Sequence, residues 1–195
     1  MVEVVEKFRE LTLKKLLLIL GSLLIAGVPF FIDSSQLGLV ASARLVTIVL
    51  ALCYLAHIDF YTHRVPNFIL LVLLGIRGVI YIIQLLQVQE FDEISAIFVP
   101  DLLTALVFAG FFFLVAFLTR GGMGMGDIKL LGVISLYLGF KMTFLSLIFG
   151  MIISFIVAVV MMVAKKKKRD DVVPFVPFLA FGVFVGVNIV VLGVI

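Results

Sequence analysis

The sequence predicts an all-α, polytopic membrane helix bundle with about seven transmembrane segments and a cytoplasmic N-terminus, and three observations carry that prediction. Of the 195 residues, 64% are apolar and only 14% are charged. The mean hydropathy is +1.36. Apolar runs near the ~20 residues of a spanning helix recur along the chain, separated by charged stretches. Soluble domains are about a quarter charged and under half apolar. A chain of this size with this much hydrocarbon therefore needs lipid as its solvent.

The runs lie at roughly 15–32, 39–58, 66–86, 101–119, 128–140, 142–163 and 174–195. The fifth is short for a full crossing, and a re-entrant helix is its alternative. Charge decides between them. Lys7, Arg9, Lys14 and Lys15 precede the first run, His63 and Arg64 follow the second, Arg120 and Lys129 flank the fourth loop, and Lys165 to Lys168 with Arg169 follow the sixth. The intervening loops carry Asp33, then Glu90, Asp92 and Glu93, then only Lys141. This alternation fits the positive-inside rule with the N-terminus cytoplasmic and the C-terminus external. A fifth segment that failed to cross would turn the KKKKR run outward, so seven crossings are expected. That run is expected to anchor a cytoplasmic loop, with lipid binding as its alternative.

One membrane domain over 1–195 is the economical architecture. No linker separates a second unit, and no inverted repeat suggests a transporter. The first run ends in GVPFFID rather than a small-residue cleavage site, so it is expected to stay as a helix. The net charge of +3 is spread between apolar runs. No basic patch interleaved with aromatics occurs, so no nucleic-acid partner is expected. Cys53 is the single cysteine and can form neither an internal disulfide nor a cysteine-rich zinc site. It reads as a packed helix residue.

Ionisable residues at the edges of apolar runs are site candidates, because they are costly there. Asp59 ends the second run in AHIDFYTHRVPN, and Asp127 begins the fifth in GGMGMGDIK. Asp33 and Asp101 fall on the outer side of the expected topology, so only Asp59 and Asp127 can meet. Asp127 follows Gly121, Gly122, Gly124 and Gly126, a run that disfavours helix by about 1 kcal/mol per glycine against alanine. Irregular backbone at membrane depth is tolerated where protein or a water-filled cavity covers it, and glycine lets a substrate backbone come close. A plain flexible loop is the other reading. A phosphate-binding loop is not, since GxxxxGK[ST] and a preceding strand are absent.

Two neighbouring carboxylates cannot both ionise easily and so share a proton. One can then take a proton from water while the other polarises a carbonyl. That chemistry needs no metal and no cofactor, and none is expected. His57 and His63 lack HExxH spacing, and no GxSxG elbow occurs. By the helix dipole, Asp127 at a helix start is expected to be the ionised base, and Asp59 at a helix end the proton-bearing acid.

These motifs resemble those of the type IV prepilin peptidases. The GxGD core is Gly124, Met125, Gly126 and Asp127; the other signature is Asp59 followed by Arg64 and the pair Pro66–Asn67; PFVPFLAFG, from Pro174 to Gly182, is similar to a late segment of bacterial members. GxGD alone is also shared with presenilin-type proteases. The resemblance covers roughly 50–190 and implies a multi-pass enzyme of the cytoplasmic membrane. Such enzymes remove basic leader peptides from prepilins or pseudopilins beside the substrate's apolar helix. On that resemblance Asp59 and Asp127 are the catalytic pair and Lys129 matches a basic position, with interfacial snorkelling as its alternative. The cysteine-paired methyltransferase domain of many bacterial members has no counterpart here, so cleavage without methylation is expected. The competing function is an ion- or proton-coupled transporter that uses intramembrane aspartates.

Overall fold

The computed structural model describes residues 38–87, 91–119, 123–163 and 174–191. Within them the chain forms five helices and no strand: α1 (Leu39–Thr62), α2 (Asn67–Gln87), α3 (Phe91–Leu118), α4 (Met125–Val163) and α5 (Val176–Val191). The first four contain segments long and apolar enough to cross a membrane, and Val176–Val190 is a shorter apolar helix. The expected run 15–32 lies outside the described residues. So do the expected cytoplasmic N-terminus and the KKKKR loop.

The core is aliphatic. Ile48, Leu52, Leu55, Leu130, Leu131, Ile134, Val176, Leu179 and Val183 are buried within it. Many large side chains on the outside are apolar as well, among them Leu71, Leu86, Phe117, Phe155 and Val163. A protein that is apolar both inside and out is one whose surroundings are hydrocarbon.

Two expected runs, 128–140 and 142–163, belong to one 39-residue helix that is broken at Gly139, where φ is 71° and ψ is 178°. Only glycine adopts that backbone readily. A straight helix of that length would reach about 58 Å, roughly twice the hydrocarbon core. The contacts show that it turns back instead. The first limb starts at Asp127, within electrostatic range of Asp59. It reaches Tyr137, whose carbonyl oxygen accepts a hydrogen bond from Arg44 Nε at 3.1 Å. Arg44 stands about 22 Å up α1 from Asp59 at 1.5 Å per residue.

The second limb returns. α5 leaves the Asp59 end at Val176, and it passes Gly150 at Leu179 and Ser146 at Gly182 and Gly186. Its partners on α4 thus run backward in sequence as α5 moves away from Asp59. A Cβ on Gly182 would strike the Ser146 carbonyl, so glycine is what lets these helices approach. The described chain therefore passes back and forth six times between two ends. The expected short fifth run is the first limb, about 21 Å long.

Candidate active site

One end of the bundle gathers most of the residues singled out from sequence. Asp59 is in the last turn of α1 and is 4% exposed. The helix stops three residues later at Thr62, and the next residue, His63, is a left-handed C-cap with φ 49° whose N–H donates to the Asp59 carbonyl at 2.8 Å. The chain then turns through Val65 and Pro66 into α2, where the Pro66 carbonyl accepts from the Ile69 N–H at 3.2 Å.

The glycine-rich segment meets this corner. A Cβ on Gly126 would lie 3.1 Å from Val65 Cβ, and one on Gly124 would lie 3.2 Å from Asp127 Oδ2. Both separations are tighter than side chains normally accept, so the glycines let the start of α4 sit against the α1–α2 turn. Asp127 lies in the first turn of α4. Lys129, two residues on, donates from Nζ to Asn67 Oδ1 at 3.2 Å. Residues of both sequence signatures are thus joined side by side. The Arg64 side chain is exposed and makes no hydrogen bond or ion pair with the cluster among the described residues.

Asp59 has a partner that sequence reasoning did not single out. The Val176 N–H, at the first residue of α5, donates to Asp59 Oδ2 at 3.1 Å. Asp59 therefore stands at the end of its own helix and at the start of another. The dipole contrast expected between Asp59 and Asp127 is lost, because a helix N-terminus now faces each carboxylate. The flanking Pro174 and Pro177 mark a helix start in the sequence, but nothing in the sequence says which acid that start will meet.

A second polar cluster lies at the far end. Asp101, 7% exposed, accepts hydrogen bonds from Arg44 at 3.2 Å, from Arg77, and from the Tyr81 hydroxyl at 3.0 Å. Arg77 is 1% exposed and also donates from Nε to the Leu136 carbonyl at 2.8 Å, while its guanidinium lies 3.8 Å from the Tyr81 ring centre. The two arginines thus satisfy carbonyls left without helical partners by the break at Gly139. Asp101 thus lies at the opposite end of the bundle from Asp59. Among the described residues no three His, Cys, Asp or Glu side chains group as metal ligands would.

Residues 45–161 match the model of the type IV leader peptidase family. The chain belongs to that family. The match spans more than half of the sequence and covers Asp59, Asp127 and the α4 break. No curated protein and no solved structure matches the chain. Leader peptidases are proteases, so the chain is a peptidase-family protein. Its apolar helices make it a multi-pass membrane protein.

Proposed function

We propose that this leader peptidase is an aspartic-type endopeptidase of the cytoplasmic membrane. It removes basic leader peptides from prepilin- or pseudopilin-like substrates at the cytoplasmic face. The observation that carries the reading is that Asp59 and Asp127, 68 positions apart in the sequence, come to one end of the bundle, where Gly126 packs against Val65 and the charge of Asp59 acts on Asp127. Two carboxyls so placed and sharing one proton can add water to an amide without a covalent intermediate. One takes a proton from water as its oxygen attacks the scissile carbon, and the other protonates the carbonyl oxygen. The first limb of α4 is shorter than the hydrocarbon core. That suits a site recessed from bulk water yet open to the junction between a basic leader and an apolar helix.

The test is a cleavage assay in membranes with a prepilin-like substrate. Asp59→Asn and Asp127→Asn are each expected to lower cutting by at least about 10³-fold at unchanged protein abundance, as loss of acid–base machinery does. Activity surviving in either variant would remove the dyad. Proton or ion flux without a new N-terminus on any substrate would instead support a transporter.

A further inference from the structure

We propose that the N-terminus of α5 positions the dyad, holding Asp59 through the Val176 N–H so that Asp59 takes the proton from water and Asp127 protonates the scissile carbonyl. This rests on the dyad reading above, and it reverses the roles that the helix dipole suggested from sequence alone.

Asp59 acts as the cap of a helix to which it does not belong. The Phe175 carbonyl accepts from the N–H groups of Phe178 and Leu179, both at 3.1 Å. Phe175 is therefore the N-cap residue and Val176 the first helical one. A phenylalanine side chain offers no acceptor to cap with. The N–H of a first helical residue has no partner inside its own helix, and Val176 is fully buried. Asp59 Oδ2, coming from α1, accepts that N–H at 3.1 Å.

The two carboxyls are not equivalent in this setting. A helix start faces each carboxylate, so the dipoles do not separate them, but Asp59 alone is held by a backbone donor whose direction is set by a helix. A donated hydrogen bond favours an acceptor bearing negative charge. Among the described residues no hydrogen-bond donor reaches the Asp127 carboxyl, which lies under the field of Asp59. Of two carboxyls sharing one proton, the unsupported one keeps it. The Phe175 backbone N–H also acts on the Asp59 carboxyl, so the entry to α5 supports Asp59 as the member that meets the water.

The step then balances. Asp59 takes a proton from water as the water oxygen bonds to the scissile carbon, and the carbonyl oxygen takes the proton of Asp127. As the resulting gem-diol collapses, the C–N bond breaks and the leaving nitrogen takes the proton from Asp59. The gem-diol hydroxyl returns a proton to Asp127. Val176 touches no reacting atom, so it is a positioning residue, and it acts through its backbone.

The experiment separates the Val176 N–H from the Val176 side chain in the full chain, in membranes, with a prepilin-like substrate. Val176→Pro deletes the N–H at the first helical position, where proline is welcome, and it keeps most of the volume. Proline also pushes the preceding residue toward extended backbone, which suits an N-cap. Val176→Ala keeps the N–H and gives up volume. An amide-to-ester replacement at the 175–176 bond deletes the N–H without a proline ring.

The proline and ester variants are expected to lower kcat by about 10- to 100-fold with KM within about two-fold, as lost support for a charge in the chemical step does. The Asp59 carboxylate band in isotope-edited infrared spectra should shift in both. The alanine variant should keep at least about ten-fold more kcat than the proline variant, since the hydrogen bond survives. Wild-type kcat in the ester variant, or an alanine variant as slow as the proline one, would overturn the positioning role. Should the proline variant fail to accumulate, the ester variant decides. Failure of the dyad itself would show differently, as cutting by Asp59→Asn or Asp127→Asn.

Discussion

Arg77 sits in the middle of an apolar run, where a charge on a lipid-facing surface would be costly. Its side chain is buried against Asp101, Tyr81 and the Leu136 carbonyl. Such a residue can be argued from its partners alone. Asp101 answers two guanidinium groups, so Asp101→Asn leaves excess positive charge buried. A loss of about 3–5 kcal/mol is expected, as for one partner removed from a buried pair, measurable by thermal or denaturant unfolding in detergent. Nearer the site, Lys129 and Asn67 are exposed and share one hydrogen bond. Alanine at each position and at both, in a double-mutant cycle on unfolding, should give a coupling of about 0.5–1.5 kcal/mol. A coupling near zero would mean that the contact does not hold the two signature segments together.

Among the elements, α4 is the informative one. Its hydropathy marks two apolar runs, while its hydrogen bonding makes one helix interrupted at a single residue. The interruption is stable because glycine tolerates the backbone there and because Arg44 and Arg77 take up the freed carbonyls. A Cβ at Gly139 would find Asp101 Oδ1 at an ordinary 3.9 Å. The cost of Gly139→Ala is therefore backbone strain rather than a clash, about 1–3 kcal/mol, measurable as a lowered unfolding midpoint in detergent. Gly182→Leu is expected to do worse, because its side chain would meet the Ser146 and Gly150 backbone. It should prevent α5 from docking and, with that, the Val176 contact to Asp59.

At the scale of the molecule, the described helices put the Asp59–Asp127 cluster and the Arg44–Arg77–Asp101 cluster at opposite ends of the bundle. With Cys53→Ser as background, single cysteines can report on this through an impermeant maleimide. A cysteine at Arg64 should label from one side, and a cysteine at Lys141 from the other. Labelling of Arg64→Cys and Lys141→Cys from the same side would contradict the reversal at Gly139.

Much of this was legible in the sequence. Hydropathy runs gave the helices, since apolar length is set by the bilayer and needs no tertiary information. The described helices follow the expected runs, although α3 begins at Phe91, ahead of the expected 101. Charge alternation paired Asp59 with Asp127 rather than with Asp101, because sidedness follows from loop charges alone. Arg44 and Arg77 lie within apolar runs yet were not singled out from sequence, because their partners come from other helices.

Asp59 and Asp127, as chemical groups at helix ends near one face, were therefore determined by the sequence itself. The tertiary structure decided what surrounds them. Helix dipoles can be assigned from sequence only within a residue's own helix. Which other helix end arrives at a carboxylate depends on packing, here on Gly150, Gly182 and Gly186 letting α5 settle against α4. That docking brings the Val176 N–H to Asp59, a contact across 117 residues that no local pattern encodes.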